Sequence, residues 1–289
     1  MGFRTVVIKN RSKLDLRLNY LICRGESEVK IYIPEISYLI LESTAISLTC
    51  ALISELNKNN VKIIFCDEKH NPESELVALH NNYNSVSKIK QQTGWSEKVK
   101  ASLWQKIVQK KIFHQAKHLE ELGEKPSAEL LRKYIDGVVA GDATNREGHA
   151  AKVYFNSIFG VDFQRRNDGK INAVLNYGYA VLLACFNREI VRSGYLTQLG
   201  IWHKNEFNHF NLSCDLMEPF RIIIDRTAVK IINDKNDERD FRLKILDIFN
   251  LQLRINGKQQ YLENAISVYC QSVFDALNNE NVELIRFYE

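Results

Sequence analysis

The period of the hydrophobic pattern changes between residues 85 and 95, and this change constrains the fold more than any other feature of the sequence. Before it, apolar and polar residues alternate with a period of two, as in residues 14–18, which is typical of half-buried strands. From Trp95 onward the apolar residues recur at helical spacing. The pattern therefore predicts an α+β fold, with a small β-rich N-terminal domain at residues 1–85 and a larger all-α C-terminal domain at residues 86–289.

The individual elements follow from the same patterns. Strands are predicted at residues 5–8, 14–18, 29–33, 38–41 and 62–66. One helix is predicted in the first domain, capped by Ser43 or Thr44 and ending at Asn59-Asn60. In the second domain, helices are predicted to begin at Pro126 and to span residues 146–159, 172–192, 215–232, 237–251 and 262–277. A further helix is defined by a buried stripe of Val99, Leu103, Trp104, Ile107, Val108 and Ile112.

The composition is that of an ordinary globular protein. Hydrophobic residues make up 45% and charged residues 26% of the 289 residues, which argues against extensive disorder and leaves enough apolar material for two cores. Charges interrupt the apolar residues at the N-terminus, so no signal peptide is predicted. No apolar run approaches the roughly 20 residues of a membrane-spanning helix. We therefore expect a cytoplasmic protein with no membrane partner.

The positive charge is concentrated in one segment. The net charge of +4 is too small to indicate nucleic acid by itself, but residues 85–118 contain eight lysines and one acidic residue. Four of these lysines lie mainly off the buried stripe and are candidates for DNA phosphate contacts: Lys98, Lys106, Lys110 and Lys117. A solvated helix face is the alternative interpretation of the same segment.

Glu147 is the first polar residue whose position points to chemistry. Thr144 and Glu147 have the spacing of a capping box, so Glu147 can be a cap of its own helix. Glu147 also lies in line with Ala150, Ala151 and Tyr154, which this helix has to bury. An inward carboxylate needs a partner, so the cap and the metal ligand both stay open.

Two further places carry groups that can bind a metal. His203 follows the long apolar helix in a predicted loop, although a lone histidine is more often structural. Asp215 and Glu218 stand three residues apart at a predicted helix start, where Asp215 is a natural N-cap and Glu218 falls at the third helical position. Taken together, carboxylates and one imidazole from separate helices suit Mg²⁺ or Mn²⁺. Such an ion polarises a phosphodiester and helps to activate an attacking hydroxyl.

Four segments carry a resemblance to a known family. They are Asn145–Phe155 (NREGHAAKVYF), Leu175–Ala180 (LNYGYA), Gly200–Asn208 (GIWHKNEFN) and Asp215–Arg221 (DLMEPFR). They resemble the signature segments of the CRISPR-associated adaptation endonuclease/integrase, the first protein of the Cas adaptation module. Their residues are similar to those of the subtype II-A branch. Chain length and the order of β and α parts also match, so the resemblance covers essentially the whole chain, most securely residues 141–232.

The resemblance implies roles for individual residues. The metal ligands of the family fall on Glu147, His203 and Glu218, which are thereby also the predicted catalytic residues, and Asp215 falls on a supporting acidic position. The metal is expected to be Mg²⁺ or Mn²⁺. Near the metal, three basic residues are candidates for DNA binding: Arg146, Lys152 and Lys204.

The resemblance also implies partners. It predicts a homodimer formed through the β-rich domain, and two such dimers joined by a small ferredoxin-like Cas adaptation partner in a four-plus-two heterohexamer. The DNA partners are double-stranded, namely a captured short fragment and the leader-repeat. Other subtype II-A adaptation proteins and the RNA-guided effector nuclease complete the candidate partners.

Three functions stay open on the sequence. The first is insertion of captured fragments, or spacers, into the repeat array by transesterification, in which a fragment 3′-hydroxyl attacks a repeat phosphodiester. The second is a structure-selective, metal-dependent DNA repair nuclease, which uses water with the same ligands. The third is a non-catalytic DNA-binding scaffold, in which the acidic residues and His203 are only caps and core groups.

Overall fold

The computed structural model describes residues 4–77, 84–234 and 239–289. The chain divides into two compact units, residues 1–80 and 81–289. The division falls among residues 78–83, which lie outside the described residues. A boundary after residue 85 would lie inside the first helix of the second unit, which begins at Ser85.

The first unit is a β-rich unit with one helix. Its strands are β1 (Arg4–Ile8), β2 (Ser12–Arg17), β3 (Tyr20–Arg24), β4 (Glu28–Tyr32), β5 (Ile36–Leu41), β6 (Ile46–Leu48), β7 (Lys62–Cys66) and β8 (Pro72–Glu75), and its helix is α1 (Cys50–Lys58). They form two four-stranded sheets, in the orders β1-β5-β7-β8 and β4-β3-β2-β6. Side chains from both sheets and from α1 share one apolar core, in which Leu14, Leu39 and Leu52 are completely buried. The predicted β-rich first domain is confirmed.

The predicted start of α1 is wrong. Neither Ser43 nor Thr44 caps the helix: Ile46–Leu48 forms β6, which pairs in parallel with β2. The helix begins at Cys50, and its cap is Thr49, whose hydroxyl accepts a hydrogen bond from Leu52 N. A threonine cap five or six residues later satisfies the same orphan donors, so the capping chemistry was correctly identified at the wrong residue.

Two further strands of the first unit were not predicted. In β3, Leu21 and Ile22 are consecutive and both buried, which hides the period of two. In β8, the sequence PESE has no apolar alternation at all. It forms an edge strand antiparallel to β7, and edge strands tolerate proline and charges that a central strand does not.

The second unit is mainly helical. Its helices are α2 (Ser85–Thr93), α3 (Glu97–Glu121), α4 (Lys125–Asp136), α5 (Arg146–Phe159), α6 (Lys170–Arg192), α7 (Asn211–Met217), α8 (Arg221–Asn233), α9 (Phe241–Leu246) and α10 (Leu262–Asn278). A 3-10 turn, Glu218–Phe220, joins α7 to α8. The described residues contain no helix long and apolar enough to cross a membrane.

A β-hairpin corrects the prediction of an all-α second domain. Strands β9 (Gln252–Ile255) and β10 (Lys258–Tyr261) pair in antiparallel through the two-residue turn Asn256-Gly257. Both turn residues have a positive φ, 51° and 73°, which is the geometry that favours Asn-Gly in tight hairpins. The helix predicted at 237–251 is also too long, because α9 ends at Leu246 and a 3-10 turn, Asp247–Asn250, follows it. Asp237 lies outside the described residues.

Helix α3 lies at the centre of the second unit. Its predicted buried stripe is confirmed, since Leu103, Ile107, Val108 and Ile112 are completely buried and Val99 and Trp104 nearly so. The Ser96 hydroxyl caps its N-terminus by accepting from Val99 N. Because α3 packs against α4, α5 and α8, polar groups on it are brought into the middle of the domain.

Two buried histidines on α3 predict an acid-sensitive fold. Burial, with a smaller contribution from nearby cations, lowers the pKa of His114 to about 2 and that of His118 to about 4. These histidines therefore stabilise the fold above their unfolded pKa of about 6.5, and the stability is lost as pH falls below it. Between pH 6.5 and 5, each should lower the free energy of unfolding by about 2 kcal/mol.

Denaturant unfolding of His118→Gln at pH 7 and pH 5 tests this expectation. Glutamine can keep the hydrogen bond that His118 Nδ1 makes with the Tyr154 hydroxyl, at 2.7 Å, but it does not titrate. The loss of stability between the two pH values should shrink by about 2 kcal/mol in the variant. The same substitution at the exposed His209 is the control, and an equal pH dependence of the wild type and His118→Gln would contradict the prediction.

Candidate active site

Glu147 is in the first turn of α5 but does not cap it. The Asp142 carboxylate accepts hydrogen bonds from the backbone N–H groups of Arg146 and Glu147, both at 2.9 Å. Thr144, the other half of the predicted capping box, donates instead to the Gly137 carbonyl. Since Asp142 satisfies the helix N-terminus, the Glu147 side chain is left for another partner.

That partner is Lys111, a residue that sequence reasoning missed. Lys111 Nζ lies 2.6 Å from Glu147 Oε1 and 2.5 Å from Glu218 Oε2. Three elements, α3, α5 and the 3-10 turn after α7, therefore converge on one cation position. The signal in the sequence was that Lys111 lies four residues after Ile107 and three after Val108 of the buried stripe, which places it on the same side of the helix.

Glu218 is a buried charge with two cationic partners. It accepts from Arg221 Nε at 2.8 Å as well as from Lys111, and its side chain is only 5% exposed. Burial opposes its ionisation, but the positive charges of Arg221 and Lys111 outweigh it and lower the pKa of Glu218. Burial likewise opposes the charge of Lys111, and the carboxylates of Glu218 and Glu147 raise its pKa despite it. Glu218 and Lys111 are therefore both ionised at neutral pH.

Asp215 is not the N-cap that the sequence predicted. It lies inside α7, completely buried, and its carboxylate accepts hydrogen bonds from the backbone N–H groups of Ile201, Trp202 and His203, at 2.6, 2.9 and 3.1 Å. Gly200 permits this turn, because a Cβ there would meet the His203 carbonyl and would lie 2.8 Å from Asp215 Oδ2. Asp215 therefore holds the loop that carries His203.

His203 is fixed on one side and open on the other. Its Nδ1 lies 2.5 Å from Asp215 Oδ1, and its ring packs edge-on against Trp104, with centroids 5.5 Å apart. The bond to Asp215 raises the pKa of His203 despite burial, and the charges of Glu218 and Glu147 add to the effect. The side chain is 41% exposed, so Nε2 is the ring nitrogen available to a ligand.

The donor chemistry of this cluster fits a divalent cation. Two carboxylates already share one positive charge, and the neighbouring imidazole is oriented by a third carboxylate, that of Asp215, as is common for histidine ligands of metals. The side chains are not arranged around a metal: within residues 4–77, 84–234 and 239–289, no group of three His, Cys, Asp or Glu residues is placed to hold one. The Lys111 ammonium stands in the cation position instead.

A small cavity adjoins the cluster. It has a volume of about 130 Å³, and its walls include Lys111, Glu218, Arg221, Tyr179 and Asp225. Asp225 is buried on α8 and accepts a hydrogen bond from the Tyr179 hydroxyl. Burial raises the pKa of Asp225 to about 6.

The candidate DNA-binding residues differ in exposure. Lys98, Lys117, Lys152 and Lys204 are exposed, although Lys204 pairs with Glu97 at 3.0 Å.

Three further candidates are partly engaged within the protein. Lys106 pairs with Glu283 at 3.3 Å. Lys110 lies over the ring of Phe113 and Arg146 over that of Tyr134. The structure thus places some of these cations at the surface and holds others in intramolecular contacts.

Comparison with known proteins identifies the class of this chain. Residues 5–265 match the family described as CRISPR associated protein Cas1. The chain belongs to the Cas1 family. It is also 35% identical over 233 residues to the CRISPR-associated endonuclease Cas1 of Neisseria meningitidis serogroup C (strain 8013). The aligned region covers 80% of this chain and 76% of the relative. The family resemblance read from the sequence is confirmed, whereas the subtype II-A branch stays a prediction.

Solved structures show the same fold at low sequence identity. A casposase bound to integration product has a TM-score of 0.79 and 18% identity, over 97% of this chain and 92% of the casposase chain. A Cas6-RT-Cas1–Cas2 complex has a TM-score of 0.74 and 17% identity, over 98% of this chain. The present chain spans 36% of the length of that larger chain.

Proposed function

We propose that this protein is a metal-dependent DNA endonuclease and integrase of CRISPR adaptation, which inserts short captured fragments into the repeat array. The observation that carries the proposal is the convergence of Glu147 and Glu218 on one cation position, beside a histidine that Asp215 orients. Membership of the Cas1 family, whose relative from Neisseria meningitidis is named an endonuclease, supports it. So does the fold shared with a casposase bound to integration product.

Glu147, His203 and Glu218 would hold Mg²⁺ or Mn²⁺ in this proposal, with His203 contributing Nε2. The ion supplies Lewis acidity at the phosphodiester and stabilises charge on the leaving oxygen. The protein's own residues orient the reaction: Asp215 fixes the imidazole ring, and Arg221 holds Glu218. A fragment 3′-hydroxyl replaces one ester oxygen at a repeat phosphate, so that one P–O bond forms as another breaks.

The non-catalytic scaffold is disfavoured by the same geometry. That reading requires Glu147, Asp215 and Glu218 to be helix caps or core groups. None of the three side chains accepts from its own helix N-terminus, and Glu147 and Glu218 instead share one ammonium. Two like charges converging on one site need a cation, and their cost is difficult to explain by stability alone. The repair nuclease stays a candidate, because the same groups can serve attack by water.

We further propose that the β-rich unit forms a homodimer interface, and that two dimers bind a small ferredoxin-like partner. The relatedness in fold to the Cas1 part of a Cas6-RT-Cas1–Cas2 complex supports such an assembly. A stable dimer without DNA is expected in sedimentation at micromolar concentration. A monomer that retains full activity would contradict the assembly.

A strand-transfer assay distinguishes the integrase from the repair nuclease. Labelled DNA with a 3′-hydroxyl is incubated with a supercoiled repeat plasmid, Mn²⁺, this protein and the proposed ferredoxin-like partner. The proposal predicts covalent transfer of the label to the plasmid at a repeat boundary, and none when the fragment ends in a 3′-deoxynucleotide. Nicking of the plasmid without transfer of the label would favour the nuclease.

Neutralising two lysines of α3 should weaken DNA binding without regard to sequence. Lys110 and Lys117 are seven residues apart on the helix. Burial is the main cause that lowers the pKa of Lys110, and the positive charge of Lys117 is the second. If each contacts one phosphate, Lys110→Gln/Lys117→Gln should flatten the slope of log affinity against log salt by roughly 1.8, about 0.9 for each contact.

The matched control for this prediction is Lys30→Gln/Lys58→Gln, which neutralises two exposed lysines of the first unit. Fluorescence anisotropy with fragments of unrelated sequence at several salt concentrations gives both slopes. An unchanged slope in the α3 double variant would mean that this segment is only a solvated helix face.

A further inference from the structure

Lys111 occupies the position at which the proposed function requires a metal ion. Its ammonium contacts one oxygen of Glu147 and one of Glu218, and its side chain is 12% exposed. A divalent cation and an ammonium cannot hold the same two oxygens, since the two positive charges would lie within a bond length or two of each other. Binding of a metal between these two oxygens therefore requires Lys111 to leave.

The structure offers a place for the displaced ammonium. The cavity of about 130 Å³ beside the site has Lys111 in its wall, with Asp225 and Tyr179 also lining it. Asp225 is completely enclosed, and Lys111 is one of the cations that lower its pKa against the larger effect of burial. A lysine side chain is long and has several rotatable bonds, so it can turn from one carboxylate to another while its helix stays in place.

The surroundings of Asp225 are those of a carboxylate with capacity for one more donor. The Tyr179 hydroxyl donates to Oδ1, and a hydrogen bond from Tyr154 also favours its ionised form. Arg221, which also lies on α8 and lines the cavity, is directed to Glu218 through Nε at 2.8 Å. An ionised carboxylate has about four acceptor sites, so an ammonium arriving from the cavity would find an acceptor.

We propose that Lys111 is a displaceable internal cation, which holds Glu147 and Glu218 together in the metal-free protein and turns toward Asp225 when the metal binds. The inference rests on the proposed function, because it takes the Glu147, His203 and Glu218 site as a metal site. It makes Lys111 a positioning residue, which keeps the two carboxylates close together before metal arrives, at the expense of metal affinity.

Mn²⁺ affinity, measured by titration calorimetry on the full chain without DNA, tests the inference. Lys111→Met keeps the aliphatic stem and removes the competing charge, so Mn²⁺ should bind about tenfold tighter or more. Without metal, this variant should unfold at a lower temperature than the wild type, and Mn²⁺ should raise its unfolding temperature by more. Lys100→Met, which removes an ion pair with Glu97 on the same helix, is the control and should bind Mn²⁺ like the wild type.

Asp225→Asn is the second variant, and it retains Lys111 and both glutamates. Its metal-free site is unchanged, but the displaced ammonium loses its anion, so Mn²⁺ should bind several-fold more weakly. If Lys111→Met binds Mn²⁺ no more tightly than the wild type, the inference is overturned. If Lys111→Met does not fold, an Mn²⁺ affinity of Asp225→Asn equal to that of the wild type overturns it instead. Absence of Mn²⁺ binding from the wild type and from both variants overturns the proposed metal site itself, whereas binding by Lys111→Met alone supports the displacement.

Discussion

Replacing Glu147, His203 or Glu218 singly by alanine should abolish strand transfer. Each substitution removes one of three proposed ligands, and the charge stabilisation that a bound metal supplies is worth several kcal/mol, which corresponds to a loss of roughly a thousandfold in rate. Glu147 and His203 are partly exposed, so their alanine variants should fold. Initial rates of label transfer to a repeat plasmid in Mn²⁺ measure the effect, and circular dichroism checks the fold.

Glu218→Ala needs its own control, because it strands two cations in the interior. Its removal leaves Arg221 with no partner at Nε and Lys111 with only Glu147, and an unpaired buried charge destabilises by about 3 to 5 kcal/mol. Glu218→Gln keeps the shape and an acceptor oxygen, and should lose strand transfer with a smaller loss of stability. Undiminished transfer in the His203→Ala variant with an unchanged fold would show that the ligand set is wrong.

Asp215→Asn should destabilise the protein and impair the site, although it changes one atom. The amide nitrogen of asparagine cannot accept hydrogen bonds, and at least one of the four donors that surround this carboxylate then lies unpaired and buried. A loss of about 2 to 4 kcal/mol in the free energy of unfolding is expected. Loss of the orienting bond on Nδ1 should also weaken Mn²⁺ binding by about 10- to 100-fold.

Denaturant unfolding and Mn²⁺ titration of Asp215→Asn measure the two effects separately. Asp247→Asn is the matched control, since Asp247 makes an exposed ion pair with Arg239, and such pairs contribute about 0 to 1 kcal/mol. Both quantities should be close to wild type in the control. Wild-type stability in Asp215→Asn would mean that the loop from Gly200 to His203 does not depend on this carboxylate.

The periodic elements were the most predictable part of the fold. The stripe of α3 and the strand at residues 62–66 follow from hydrophobic spacing, and both are confirmed. Elements without such a period were missed: β8 is held by pairing with β7 rather than by its own side chains. The hairpin at Asn256-Gly257 had a turn signal in the sequence, but its second strand, KQQY, has no alternation of apolar and polar residues.

The candidate site was also predictable only in part from the sequence. Glu147, His203, Asp215 and Glu218 were identified from motif segments, but their partners were not. Lys111 is distant in sequence from every motif and reaches the site only because α3 passes through the middle of the helical unit. Local rules also misassigned two caps: Asp142 takes the place of Thr144 at α5, and Asp215 binds a loop rather than its own helix.

An anomalous difference map from crystals containing Mn²⁺ tests the central claim most directly. We predict one peak at coordination distance from a carboxylate oxygen of Glu147, one of Glu218 and Nε2 of His203, with Lys111 Nζ no longer between the two glutamates. A Mn²⁺ peak elsewhere in the unit, or none while Lys111 still joins Glu147 to Glu218 at saturating Mn²⁺, would contradict the account.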